Sequence, residues 1–356
     1  MSVSLFRRAS DGPVLITGGA GFIGTNLANT LLRNGRSVRI YDNLSRPGAE
    51  LNLRWLRSVH GARVQLCRED VRSPDGIRAA LADVGTVFHL AAQVAVTTSL
   101  ADPLEDFSVN AAGTLNLLEE IRKSGRPVRV VFTSTNKVYG TLDDIPLTGS
   151  STRYHSPSDL AGIDETWPLS FHSPYACSKG AADQYVLDYA RNYAVSATVF
   201  RMSCIYGPHQ HGTEDQGWVA HFLIRAGHDL PIAIYGDGRQ LRDLLHVDDL
   251  VEAMLLAEQH MPEIAGEVFN IGGGARNTSS LRELIDQITV LNGFRPQTSH
   301  GPWRLGDQRW YVSDPSKFQH ATGWVPRIDV QQGLGQLHRW ISANNRATPR
   351  TRVVVP

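Results

Sequence analysis

Metal-ligand spacing is missing from this chain. Its 13 histidines form no HxxxH or HExxH pair, and Cys67, Cys177 and Cys204 are widely spaced with no CxxC. Neither a metal centre nor a disulfide framework is indicated. The thiols point to reduced, mostly structural cysteines in a cytoplasmic protein. An excess of one charge is missing too: 35 Lys and Arg balance 35 Asp and Glu. No overall bias steers the chain to nucleic acid or an acidic membrane. No window approaches the roughly 18 uninterrupted apolar residues of a membrane helix. The opening MSVSLFRRASDG carries two arginines but no apolar stretch. We therefore expect neither a membrane span nor a signal peptide. Internal repeats, heptad runs and low-complexity tracts are also lacking.

What remains suits a globular protein: 42% hydrophobic and 20% charged residues over 356 positions, enough for two domains or one domain with a smaller lobe. Val14-Leu15-Ile16-Thr17 runs into Gly18-Gly19-Ala20-Gly21-Phe22-Ile23-Gly24, and Phe22, Ile23, Leu27, Leu31 and Leu32 then recur at helical spacing. Strand, glycine-rich turn and helix, in that order, are the setting of a dinucleotide fingerprint. Gly18, Gly21 and Gly24 follow GxxGxxG, so the backbone can turn sharply and approach a pyrophosphate at the helix N-terminus. A second apolar run, Val38 to Tyr41, ends at Asp42, followed by Asn43. An acidic side chain there accepts hydrogen bonds from ribose hydroxyls and repels a 2′-phosphate, which favours NAD over NADP. Arg46 weakens that preference, although an arginine there is more often solvated or stacked on the adenine.

The alternation continues. Val64 to Cys67 leads to Asp70-Val71, Thr86 to Leu90 leads to Ala91-Ala92-Gln93, and Val128 to Phe132 leads to Thr133-Ser134-Thr135. Amphipathic helical stretches lie around Pro74 to Ala82 and Leu104 to Ile121. The expected fold class is α/β, a Rossmann-type doubly wound parallel sheet with a smaller C-terminal α/β lobe. Ligands of such sheets bind at the carboxyl ends of the strands, where these polar clusters fall. Thr198 to Met202 reads as a sixth strand, and the regular alternation weakens after Tyr206-Gly207-Pro208. We expect a dinucleotide-binding domain over 1–205, with returning segments near 240–275. A discontinuous substrate lobe over 206–345 and a tail over 346–356 complete the division. The polar stretch Thr141 to Trp167 has the length of a substrate-covering loop, and Asn344 to Pro356 is expected to fray.

Ser173-Pro174-Tyr175-Ala176-Cys177-Ser178-Lys179 places a phenol and an ammonium four residues apart, on one helical face. A fixed cation lowers a phenol's pKa, so the pair suits proton removal from a sugar or alcohol hydroxyl.

With TGGAGFIG (Thr17 to Gly24), HLAAQ (His89 to Gln93), Thr135 and Tyr175/Lys179 in place, the chain resembles the extended short-chain dehydrogenase/reductases. More narrowly it resembles their nucleotide-sugar epimerases, in particular those acting at C2 of a CDP-sugar. The wording shared with them includes DNLSR (Asp42 to Arg46), QVAVTTSL (Gln93 to Leu100), STNKVYG (Ser134 to Gly140), CSKGAADQY (Cys177 to Tyr185), DQGWV (Asp215 to Val219), RDLLHVDD (Arg242 to Asp249) and DQR (Asp307 to Arg309). The resemblance spans about residues 12 to 340.

The resemblance implies an NAD-dependent isomerase with Tyr175 as acid/base. Lys179 would lower the tyrosine's pKa and hold the nicotinamide ribose, and Thr135 would bond the sugar oxygen that becomes a carbonyl. Tyr175 takes a hydroxyl proton as the carbinol hydride leaves for NAD⁺; the ketose turns, and the hydride returns to its other face. The implied cofactor contacts are Gly18, Gly21, Phe22, Ile23, Gly24, Asp42, Asn43, Arg46, Asp70, Val71, Ala91, Ala92, Gln93, Tyr175 and Lys179. Substrate contacts would be Gln93, Thr135, Asn136, Lys137, Ser203, Arg242, Arg304 and Arg309, the arginines matching diphosphate oxygens. Sugar-nucleotide 4,6-dehydratases carry an Asp-Glu pair after the threonine, whereas Asn136 and Lys137 stand here, which disfavours elimination. Epimerisation at C3 or C4, net reduction of a keto-sugar, and a non-catalytic NAD sensor remain alternatives. A homodimer is implied by the resemblance alone.

Overall fold

The computed structural model describes residues 12–158 and 160–347. Its central sheet holds β1 (Val14–Thr17), β2 (Val38–Tyr41), β3 (Val64–Cys67), β4 (Thr86–His89) and β5 (Arg129–Thr135), with two later strands, Ser196–Met202 and Val268–Ile271. All seven are parallel, and across the sheet they run Val268–Ile271, Ser196–Met202, β5, β4, β1, β2, β3. These short apolar runs lack the polar alternation of half-exposed strands because both faces are covered. Val14 and Ile16 pack into one layer with Leu27 and Leu31 of α1 (Phe22–Arg33), Leu53 and Leu56 of α2 (Ala49–His60), and Leu250 and Met254 of helix Val247–Gln259. Leu15 points the other way, toward Ile77 of α3 (Pro74–Ala80), Leu117 and Leu118 of helix Gly113–Ser124, and Val186 of helix Pro174–Asn192. The expected doubly wound sheet is therefore present, and strand order reverses between β1 and β4, where such sheets open a crevice.

Three local expectations are corrected. The helix expected over Leu104 to Ile121 is three segments: Pro103–Phe107, a π-turn at Ser108–Ala112, and Gly113–Ser124. π-turns insert one extra residue and often lie beside functional sites. β5 runs on to Thr135, so that threonine ends the strand itself. Fraying from Asn344 does not hold at its start, because helix Val330–Ala347 continues through it. Residues 348–356 and 1–11 lie outside the described residues.

A second body packs at the carboxyl end of the sheet. Strand Leu241–His246 pairs with Cys204–Tyr206, Thr278–Ser280 and Trp310–Tyr311, and Ile232–Tyr235 pairs with Thr298–Gly301. Helices Trp218–Gly227, Leu281–Asn292 and Val330–Ala347 close its core around Leu223, Leu284, Ile288 and Leu337. The stretch 141–167 is tied to this body. Arg153 grips Glu283 through two hydrogen bonds, and the Ile163 amide donates to the Val312 carbonyl at 2.7 Å.

Beneath the carboxyl edge, Arg201 of strand Ser196–Met202 forks onto Asp183 of helix Pro174–Asn192 at 2.9 and 3.0 Å, and also reaches the Tyr139 hydroxyl at 3.2 Å. Both charged side chains are almost wholly out of water. Removing one partner of such a pair leaves the other buried and uncompensated. Asp183→Ala should cost about 3–5 kcal/mol of stability, measured by urea unfolding. A loss under about 1 kcal/mol would contradict the role given to this pair.

Candidate active site

The glycine turn is set by contact distances. The Gly18 amide donates to the Tyr41 carbonyl at 2.8 Å, and Gly18 has φ +67°, which a side chain rarely adopts. A Cβ at Gly24 would lie 2.5 Å from the Gly18 oxygen and 2.6 Å from Gly19 Cα. Among the described residues beyond its chain neighbours, only that same Gly18 oxygen, at 3.1 Å, lies within 4 Å of such a Cβ at Gly21, so the turn's outer side is open. Gly21 also precedes α1, whose first amides have no side-chain cap. Phe22 and Ile23 open that helix.

Asp42 ends β2 with its carboxylate folded back onto the turn. It accepts from the Ala20 amide at 3.0 Å and the Leu44 amide at 2.8 Å. Burial pushes its pKa up, opposed by those donors and by Arg46. Asn43 bonds Asp70 at 2.8 Å. Asp70 is gripped chiefly by Arg72, which holds its carboxyl down at about 2. Val71 is buried behind Gly113. Ala91, Ala92 and Gln93 follow β4, and the Ala91 amide donates to the Thr17 hydroxyl at 3.2 Å. The Gln93 side chain turns inward, to Asp106 and the Ala95 carbonyl, both at 2.8 Å. An uncapped helix end, an open glycine face and an inward carboxylate at the ribose position fit a dinucleotide.

Tyr175 and Lys179 both lie buried in the first turns of helix Pro174–Asn192, which starts at a Ser173 cap and a proline. The Tyr175 amide donates to the Ser99 hydroxyl at 3.1 Å. Burial pushes the phenol up to about 12; a Thr135 hydrogen bond and Arg46 pull it down, and Asp106 pushes it further up. The Lys179 ammonium donates to the Thr133 carbonyl at 2.6 Å and sits 4.3 Å from the Phe132 ring centre. Burial brings the lysine itself down to about 7, opposed by Asp183 and Asp106. Thr135, Asn136 and Tyr175 are brought together; the Thr135 hydroxyl also faces the Asn136 side-chain oxygen at 3.4 Å.

The expected substrate residues divide. Lys137 donates to Gln308 at 3.2 Å and lies 3.8 Å from Asp307; burial and then Arg242 bring its amine down to about 8. Arg242 joins the same cluster but spends its fork on Asp307 and on the Leu241 and Gln308 carbonyls. Ser203 is likewise committed, to the Asp243 carboxylate. Arg304 lies 4.0 Å from the Tyr235 ring centre and bonds Glu214, while Arg309 lies 5.6 Å from the Trp303 ring centre. Trp218 donates to Cys204 Sγ at 2.9 Å, a packing role. The sequence reading missed Asp106, Asn110, Ser178, Ser99 and the Asp183–Arg201 pair. Their partners lie far away in the chain, so spacing carries no signal for them.

A family model described as the NAD dependent epimerase/dehydratase family matches residues 14–272. The chain belongs to that family. It is 40% identical over 337 residues to a CDP-paratose 2-epimerase of Salmonella typhi, covering 93% of this chain and 99% of the relative. Among solved structures, it is similar to a UDP-glucose 4-epimerase of Thermotoga maritima with UDP-glucose (TM-score 0.81, 30% identity, 94% and 99% covered). It is also similar to a UDP-glucose 4-epimerase of Thermus thermophilus in complex with NAD (TM-score 0.78, 31% identity, 92% and 98% covered). Family membership makes the protein an enzyme with NAD as its cofactor.

The contact at Gly24 gives a direct test. Gly24→Ala must push apart the turn expected to receive the pyrophosphate. Calorimetric NAD titration should show at least about tenfold weaker binding, roughly 1.4 kcal/mol; unchanged affinity would contradict the placement.

Proposed function

We propose that this enzyme inverts one stereocentre of a nucleotide-activated sugar, at C2 of a CDP-sugar, through a transient keto-sugar. The observation that carries this is the grouping of Tyr175 with Thr135 while Asn136 and Lys137 occupy the next two positions. Elimination of water needs a general acid and base beside the sugar, and an amide and an ammonium do not replace the two carboxylates that serve there in the dehydratases. The Salmonella typhi relative's name supports C2 and the CDP-sugar.

In this reading the dinucleotide lies on the domain spanning 1–205 with returning segments near 240–275, and the sugar nucleotide on the lobe over 206–345. NAD, when bound, supplies the oxidant that takes a hydride and gives it back, and its nicotinamide cation would add to the pull on the phenol. Gly18, Gly21 and Gly24 admit its pyrophosphate, and Asp42 accepts from its ribose. The phenol of Tyr175 takes the sugar hydroxyl proton and later returns it. The Thr135 hydroxyl bonds the same sugar oxygen, and Lys179 holds the nicotinamide ribose. Lys137, Arg242, Arg304 and Arg309 face the hydroxyls and diphosphate. Leu104 and Phe107 on helix Pro103–Phe107 stand exposed, as does Tyr185 on helix Pro174–Asn192, which suits burial against a second copy in a cytoplasmic homodimer.

The test is incubation with a panel of nucleotide sugars in deuterated water. We expect a CDP-sugar to be inverted at C2 with no solvent deuterium at that carbon; deuterium there would exclude internal hydride return. Stoichiometric consumption of added NADH would instead indicate reduction. Tyr175→Phe should lower turnover about 10²–10⁴-fold, and full turnover in that variant would overturn the assignment.

A further inference from the structure

Gln308 has no exposed surface, although it lies in the loop ahead of strand Trp310–Tyr311. A buried amide needs partners within the protein, and both ends of this one are used. Its Oε1 accepts from the Lys137 ammonium at 3.2 Å, and its Nε2 donates to the Gly140 carbonyl at 2.7 Å. An ammonium only donates and a carbonyl only accepts, so the amide has one orientation. Lys137 and Gly140 belong to a single tight turn, Asn136–Tyr139, which starts at Thr135 and closes at Gly140 with φ +75°. The Lys137 amide donates to the Thr135 hydroxyl at 3.3 Å, and the Gly140 amide donates to the Lys137 carbonyl at 3.2 Å. Gln308 thus closes a ring that runs from the lysine side chain through Gly140 and back along the turn. A lysine side chain ordinarily keeps much rotamer freedom; this one is tied at both ends.

The tie does not use up the ammonium. It carries three donor hydrogens, of which Gln308 takes one, and the Asp307 oxygen at 3.8 Å is beyond hydrogen-bond reach. The lysine side chain keeps 22% of its exposure while the glutamine behind it has none. Asp307 is already matched by the Arg242 guanidinium at 2.6 Å, and Arg242 also donates to the Gln308 backbone carbonyl at 2.5 Å. Gln308 therefore stands against both cations of the cluster. Without its side chain, the Lys137 ammonium would need to close only about 1 Å to make an ordinary charged hydrogen bond with Asp307.

We propose that Gln308 is a positioning residue that holds the Lys137 ammonium off Asp307 and presents it to an oxygen of the sugar. The inference rests on the reading of Lys137 as a substrate contact. The turn that carries Lys137 starts at Thr135, whose hydroxyl meets the Tyr175 phenol, and this favours the sugar over the diphosphate. The group received is an oxygen with a free lone pair, because an ammonium has donors only. A glutamine suits the task since one side chain must accept from the lysine and donate to the turn. A carboxylate in its place would face the Gly140 carbonyl with no donor.

Calorimetric titration of the NAD-loaded, full-length protein with CDP-glucose and UDP-glucose, each against its own nucleoside diphosphate, reads the sugar's share of binding. Gln308→Asn keeps an amide in place but is one methylene too short to reach both Lys137 and Gly140. It should weaken the sugar nucleotide about tenfold or more and the nucleoside diphosphate less than about twofold. Lys137→Met should do the same, and the double variant should lose no more than either single one. Equal weakening of both ligands would mean a general disturbance of the lobe and overturn the proposal. Additive losses in the double variant would overturn it too, as would sugar nucleotides that bind the unsubstituted protein no more tightly than their diphosphates. Should Gln308→Asn not fold, the unsubstituted protein labelled with ¹³C at lysine Cε decides. Lysine occurs only at Lys123, Lys137, Lys179 and Lys317, and Lys137→Met assigns its signal. A held side chain gives distinct shifts for its Cε protons, whereas a single averaged shift at Lys137 would overturn the proposal. Sugar binding that depends on Gln308 without inversion at C2 would sink the reaction alone. Inversion at C2 with Gln308→Asn at full sugar affinity would sink this inference alone.

Discussion

Two titratable side chains, one helical turn apart and both withdrawn from water, set the terms for their surroundings. Burial alone favours the neutral form of each, driving Tyr175 up and Lys179 down. The Thr133 carbonyl, the Phe132 ring face and the carboxylates of Asp183 and Asp106 offset that tendency at Lys179, and the Thr135 hydroxyl offsets it at Tyr175, where Asp106 adds to it. None of these groups is local in sequence to both members of the pair. They arrive from β5, from the helix at Pro103–Phe107 and from the body of the catalytic helix. The parallel sheet is what brings them to one edge, because every strand end delivers its next residues to the same side.

The second body is joined to that edge by polar contacts. Arg201 holds Tyr139, Tyr139 donates to Asn270 at 2.8 Å, and Asn270 donates to the Ile163 carbonyl at 2.8 Å. Its backbone amide also reaches Glu165 at 2.5 Å. One buried chain of hydrogen bonds thus runs from beneath Lys179 to the stretch 141–167. Each link excludes alternative partners, since an unmatched group there would lose its share of solvation.

Much of this was legible in the sequence. Short apolar runs ending in polar clusters gave the sheet, because doubly covered strands need no alternation. Gly18, Gly21 and Gly24 were readable since each answers a steric demand of the backbone. The helix Leu281–Asn292 carries its own start signal, a reciprocal cap between Ser280 and Glu283. Asp106 was not legible: it falls in the first turn of the amphipathic stretch read from Leu104, and the carboxylate's partners lie 13 and 72 positions away. The partner of Lys179 was hidden for the same reason. Spacing puts a lysine on the face of a tyrosine, but which group the ammonium chooses depends on a carbonyl 46 positions away. The protein partners of Arg242 were hidden likewise, since Asp307 and the Gln308 carbonyl lie 65 and 66 positions away.

The π-turn at Ser108–Ala112 has a consequence for what lengths this segment tolerates. It places Asn110 against Asp106, Ser178 and the Gln93 carbonyl together. Deleting one residue would restore regular winding and rotate everything before it by about 100°, carrying Asp106 out of its pocket toward water. Substitutions here act one side chain at a time, whereas a single-codon loss would act on the whole helix at once. The segment is therefore tolerant in composition at its exposed positions and intolerant in count.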